Sequence, residues 1–328
     1  MASATMTAAQ TADVQATSGV AGMDDAKLFE WVGPEDESSI NGAHAPKRNF
    51  WHGVWTRLVH DRAAFVCLIA LVVMILMAIF VPMVSPYSIS DQDFTQCNLG
   101  FMENGHIFGT DKLGRDLFVR LCFGMRVSFI IALAAVIVSL VFGAAYGGIS
   151  GYFGGMVDNV MMRVLEVISC IPSMIMVILL LMVLKPGVST IILAYALVGW
   201  TGMARLVRGE VLKLKTREYV LASRVLGASP SRVILRDLLP NTVSIILVEL
   251  TMCIPGAILM EGFLSYCGLG VQIPLSSLGS LVTDGIKDFQ GNPIVLIAPS
   301  IFLCLVMFIF NTLGDSLRDI LDPTLGRQ

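Results

Sequence analysis

An all-α fold is predicted, a polytopic membrane bundle of six transmembrane helices, and three observations lead there. Of 328 residues, 55% are hydrophobic and only 14% are charged, with a mean hydropathy of +0.76. A soluble domain carries nearly twice that charged fraction. Uncharged runs cover 63–90, 127–157, 167–184, 186–204 and 289–314, and a sixth, 238–260, is interrupted only by Glu249. Each is long enough for a hydrocarbon core about 30 Å thick, which a helix crosses in about 20 residues. Between 186–204 and 238–260, the fourth and fifth runs in chain order, lies a basic block holding Arg205, Arg208, Lys213, Lys215, Arg217, Arg224, Arg232 and Arg236 against Glu210 and Glu218. Such an excess in a short loop marks the cytoplasmic side.

Residues 1–48 are rich in Ala, Thr, Ser and Gly and carry seven acids against three bases. Too little apolar surface is available to offset their ordering entropy, so a disordered acidic cytoplasmic tail is expected, either dispensable or regulatory. With no basic start and no apolar run, it does not read as a signal peptide. In 49–62, Phe50, Trp51, Val54, Trp55, Leu58 and Val59 recur at helical spacing, with Arg57 and Arg62 between them. That suits an amphipathic helix in contact with lipid headgroups, or one packed against neighbouring spans. The stretch 63–120 reads as the first span plus a polar external loop, and 121–322 as a core of five further spans. With both termini inside, sixteen Lys/Arg fall on the cytoplasmic side and six outside, and the external Lys112, Arg115, Arg120 and Arg126 argue mildly the other way.

Gly143, Gly147, Gly151 and Gly155 recur every four residues. The segment lacks the GK[ST] ending of a phosphate-cradling loop, and its spacing predicts a small-residue face for close helix approach, then a turn. The prolines at 172, 255 and 299 are expected to bend their spans. The seven cysteines read as buried apolar thiols, with a disulfide between Cys97 and Cys267 as the alternative. No metal cluster or catalytic dyad emerges, the four histidines lie outside the spans, and nothing basic and aromatic suits nucleic acid. Three acids near or within spans are candidate pathway residues. Glu166 is three residues from Arg163 and positioned to pair with it. Glu249 lies in the fifth span, where an anion is costly. Glu261 lies near that span's outer end, placed to snorkel, pair or line the pathway.

Within the basic block, Tyr219, Ala222, Val225 and Leu226 recur at helical spacing. Gly227 then permits a left-handed ending, and Ser229-Pro230 offers a cap and a first-turn proline for the next helix. This predicts a short exposed helix across the membrane face at about 216–230. The block resembles the cytoplasmic signature of importer-type ABC permeases, EAA, three residues, G, nine residues, IxLP. Ala222, Ser223, Gly227, Leu239 and Pro240 match it, while Leu221 replaces its Glu and Asp237 its Ile. Phe108-Gly-Thr-Asp-Lys-Leu-Gly-Arg-Asp116 is similar to the GTDxxGRD block of the C-type subunit of oligopeptide and dipeptide permeases. The blocks 261–270 and 278–285 resemble the segment after that family's fifth core span.

The resemblance implies a type I ABC importer permease fold without catalytic groups of its own. It implies a second homologous permease chain, two ABC ATPase subunits that hold ATP and Mg²⁺, an extracytoplasmic solute-binding protein, and a peptide solute. It also implies that Glu218, Tyr219, Ala222, Ser223, Gly227, Ala228 and Pro240 form the coupling surface, with Pro240 starting the next span. Nickel or a metal chelate is the alternative cargo. An autonomous secondary transporter is the rival of another class, although no internal repeat is seen.

Overall fold

The structure, a computed structural model, describes residues 50–321, so the acidic segment 1–48 and residues 322–328 lie outside the description. From Val54 onward the chain forms one compact unit. Among the described residues every regular element is helical, with two isolated bridges, Glu103–His106 and Thr110–Asp116.

Helix α1 (Phe50–His60) has exposed Trp55 and Val59 and a buried Leu58. Asp61 ends it and caps α2 (Arg62–Val84) by accepting from the Ala63 amide at 3.0 Å. The Ser316 hydroxyl donates to the same carboxylate at 2.8 Å and holds it below the usual carboxylate range. Helix α2 stops at Val84 because Ser85 precedes a proline and is extended. Most of its apolar side chains face outward, among them Val66, Val72 and Phe80. In a membrane that face meets lipid.

Helix α3 (Leu117–Phe153) is a 37-residue run starting ten residues before the uncharged stretch, so Arg120 and Arg126 lie within it. It passes through a π turn at Ser139–Gly143 and ends where Gly154 turns left-handed at φ +64°. The third span is not one straight rod. Helices α4 (Gly155–Cys170) and α5 (Ser173–Val183) meet at a 73° bend at Ile171-Pro172, where an extended residue precedes the proline. Five helices are long and apolar enough to span a membrane, and six spans result when this bent pair counts as one.

Helix α6 (Val188–Leu214) runs ten residues past the apolar stretch into the basic block. It is followed by α7 (Glu218–Val225), α8 (Pro230–Tyr266), α9 (Leu278–Asp288) and α10 (Ile294–Leu321). Pro255 and Pro299 lie inside α8 and α10, which continue through them. The largest core cluster joins α2, α3, α8, α9 and α10 through residues such as Met74, Met125, Ile258, Leu281 and Ile309. A second, around Met203, Val207, Val211, Val233 and Leu238, lies at the basic end and carries α7. Cys97 and Cys267 are both free thiols.

Candidate functional site: the basic end and its short helix

Helix α7 buries one side chain and presents most of the others outward. Val220 is fully buried in the cluster containing Val207, Val211 and Val233. Tyr219, Leu221, Val225 and Leu226 are exposed, the last two at 87%, and Ala222 shares their surface. An exposed apolar face of this kind marks an interaction site. Glu218 sits in the first turn, where a carboxylate favours the N-terminal dipole. Ser223 is half-buried. Burial raises the Tyr219 phenol above its ordinary pKa, with the Arg217 charge opposing.

The helix ends in a Schellman motif. The Ala228 amide donates to the Ser223 carbonyl at 3.1 Å and the Gly227 amide to the Arg224 carbonyl at 3.0 Å. Gly227 has φ +81°. Ala228 packs onto the cluster below. Arg224 lies over the Tyr152 ring, 5.6 Å from its centroid, tying α7 to the end of α3.

Two expectations at the next junction change. Ser229 has a capping backbone and Pro230 sits at the first helical position, but the Ser229 hydroxyl faces Ser231 at 3.3 Å and caps nothing. Pro240 does not start the helix. It lies ten residues inside α8, between a π turn (Val233–Leu238) and a 3₁₀ turn (Leu239–Thr242). A proline there supplies no amide to the Arg236 carbonyl and its ring clashes with that group, so the helix widens before it and tightens after it. The Asn241 side chain donates to the neighbouring Asp237 carbonyl at 2.5 Å.

The three acids have different surroundings. Glu249 is half-buried and lines a groove of about 730 Å³ with Glu210, Asn241, Ser244 and Arg318. Glu166 is exposed and paired with Arg163 at 2.8 Å. Glu261 neither snorkels nor lines an opening. It is fully buried, accepting from Ser277 at 2.5 Å, Ser265 at 2.7 Å and Ser128 at 3.4 Å. Ser277 is the N-cap of α9, so Glu261 anchors that helix to α8. Beside it the two helices touch backbone to backbone. A Cβ on Gly279 would stand 2.3 Å from the Gly262 Cα.

At the opposite end, the 108–116 block is a closed ion cluster. Asp111 binds Arg115 at 2.7 Å and Arg120 at 2.5 Å, all three buried. Asp116 caps α3 through the Val119 amide at 2.7 Å and holds His106 at 2.7 Å. Asp284 brings a second carboxylate to Arg120 at 3.6 Å, so the two guanidinium groups are matched by two carboxylates. Among the described residues no metal-holding group of His, Cys, Asp or Glu occurs.

Residues 143–327 match the family described as "Binding-protein-dependent transport system inner membrane component". The chain belongs to this family. A second match, to the N-terminal TM domain of oligopeptide transport permease C, covers 49–100 of this inner membrane component. The dipeptide transport system permease protein DppC of Bacillus subtilis is 41% identical over 301 residues, covering 91% of this chain and 94% of that one. The oligopeptide transport system permease protein OppC of the same organism is 46% identical over 279 residues, covering 85% and 91%. Among solved structures, an inward-facing form of the MetNI methionine ABC transporter aligns with a TM-score of 0.52 at 17% identity, covering 63% of this chain and 96% of that one. That likeness supports the ABC importer permease fold.

Proposed function

We propose that this component is one half of the membrane pathway of an ATP-driven importer for oligopeptides or dipeptides. The observation that carries the reading is α7, a short helix anchored by Val220 with its apolar face turned away from its own fold. Its complement would be a groove on an ABC ATPase subunit. The basic end would face the cytoplasm with both termini, following the excess of Lys and Arg there. The assembly would contain a second, homologous permease chain, two ATPase subunits and an extracytoplasmic solute-binding protein. ATP and Mg²⁺ would reside in the ATPase subunits, leaving this chain non-catalytic.

ATPase closure would pull on Glu218, Tyr219, Ala222 and Ser223, and the Gly227 turn with Ala228 would carry the pull into α8. The Pro240 distortion lies along that route. The half-buried Glu249, in its groove at the basic end, would line the inner part of the pathway and suits a peptide's ammonium group. The peptide cargo rests on the peptide permeases that resemble this chain across most of its length.

The test is uptake of a radiolabelled dipeptide or tetrapeptide by the complete complex in proteoliposomes, with ATP inside. ATP-dependent uptake that ionophores leave intact is expected. Uptake that persists without ATP and collapses with an ionophore would overturn the reading in favour of a secondary transporter. ATP-driven uptake of nickel but of no peptide would overturn the cargo alone.

A further inference from the structure

The short helix α7 touches only a few neighbours, yet a pull on it must reach the membrane-embedded spans. One of them, the bent α4–α5 pair, does not adjoin α7 in sequence, and what fastens α4 to the rest is therefore decisive. Polar links hold it at three positions. Asp158, in its first turn, takes a two-pronged bond from Arg208 of α6, with Nε at 2.5 Å and Nη2 at 2.6 Å. The Ser150 hydroxyl of α3 donates to the same carboxylate at 2.5 Å. Farther along, the Tyr146 hydroxyl of α3 donates to the Met161 carbonyl at 2.7 Å, and Arg205 of α6 reaches the Ser169 hydroxyl. The links stop at Ser169, just before the 73° bend.

The surface receiving these bonds is itself stiff. Gly147 lets α3 lie directly on α6, since a Cβ there would stand 2.4 Å from the Ala204 carbonyl oxygen. Lys215, at the end of α6, donates to the Gly151 carbonyl at 2.9 Å. Val211 of α6 shares its cluster with Val220 of α7, and Arg224 of α7 lies over Tyr152. Only one residue of this assembly is a buried anion bonded to both neighbouring helices, and that is Asp158, whose side chain is 10% exposed. A two-pronged guanidinium–carboxylate pair fixes distance and angle together, unlike a greasy contact that slides.

We propose that Asp158 and Arg208 are positioning residues for transport: their bond makes α4 move with α3, α6 and α7 as one body, so that the pull on α7 reaches the third span up to its bend at Pro172. The inference rests on the importer reading and adds the joint through which that machine would transmit force.

The experiment uses the complete complex in proteoliposomes with partner permease, ATPases and binding protein, and measures peptide uptake and ATP hydrolysis in the same vesicles. Asp158→Asn and Arg208→Gln are each expected to leave hydrolysis running while uptake drops, raising ATP consumed per peptide about two- to thirtyfold, the range proposed for residues that modulate coupling. The double variant is expected to be no worse than either single one, because the two groups act as a unit. A ratio unchanged from wild type in assembled complexes would overturn the proposal, as would a double variant whose rise is the product of the two single rises. Should a variant reduce the complex in the membrane, Arg208→Lys takes its place, keeping the charge but losing the two-pronged geometry. It is expected to raise the same ratio, and a wild-type ratio for it overturns the proposal. Absence of ATP-driven uptake by the wild-type complex would instead strike at the importer reading itself.

Discussion

Gly227 has open space around its α-carbon, and a Cβ placed there meets nothing within 4 Å. A substitution is therefore penalised by backbone alone, at φ +81°, where an L side chain costs about 1–2 kcal/mol. Gly227→Val should distort the end of α7 and abolish uptake while the amount of protein in the membrane stays normal. Gly227→Asn, which tolerates the left-handed region, should retain most uptake. Immunoblotting and uptake on the same vesicles check both. A bulky residue at the exposed Ala222 should act similarly, by holding the partner surface away. Glu261 behaves in the opposite manner. Replacing it with Leu strands the hydroxyls of Ser128, Ser265 and Ser277 inside the fold, at about 1–3 kcal/mol for each unsatisfied group. Glu261→Leu should lower the thermal unfolding midpoint in detergent sharply, and Glu261→Gln much less. Gly227 was legible because a left-handed turn leaves a local mark, a glycine after an apolar helical pattern. The surroundings of Glu261 were not, because Ser128 lies 133 residues away in sequence and no local pattern announces it.

Helix–helix approach is where periodicity in the sequence translated most directly into packing. Gly143, Gly147 and Gly151 face α6 as their spacing predicted, and Gly154 and Gly155 make the turn that follows. Gly147 and Gly209 make a matched pair, since both are helical but Gly209 has nothing within 4 Å. Gly147→Ala would press a methyl group onto a backbone carbonyl that cannot rotate away, a clash of the overpacking kind costing about 1–3 kcal/mol. Gly209→Ala should be neutral or stabilising by up to about 1 kcal/mol, the difference in helix propensity. Thermal unfolding of the two variants side by side should separate them. An unchanged midpoint for Gly147→Ala would mean α3 and α6 are not in contact there. Helix lengths were less legible than helix faces. An uncharged run ends at the first arginine, whereas a helix continues past an arginine that is exposed, as Arg126 and Arg205 are, or paired, as Arg120 is with Asp111 at 2.5 Å. The same blindness hid Asp158 and Arg208, 50 residues apart, whose only outward sign is a lone acid just past the glycine turn.

The unit that begins at Val54 is polarised, with α7 and the basic block at one end and the ion cluster of 106–120 at the other. Composition made the membrane bundle legible, and the family blocks fell where the structure has a Schellman turn, a capped ion cluster and a clamped acid. The bend of the third span was legible in Pro172, whereas Pro255 and Pro299 carry the same mark in helices that continue through them, because a proline shows where a helix can break and not whether its neighbours hold it together. Polarity also bears on orientation. Arg115 and Arg120 are internally paired, but the rule counts Lys and Arg residues and not net charge, so they still weigh against an inward-facing basic end and labelling decides the orientation. Single cysteines at Val225 in α7 and at Met102 in the loop between α2 and α3, both well exposed, would report the two ends separately in a chain whose seven native cysteines are replaced. A membrane-impermeant maleimide should label Met102→Cys in spheroplasts, and Val225→Cys only after permeabilisation. Assembly adds a finer readout, because an ATPase subunit seated on α7 should shield Val225→Cys even in permeabilised membranes, with labelling restored when that subunit is omitted. Labelling of Val225→Cys from outside would reverse the orientation and remove the site through which an ATPase could act.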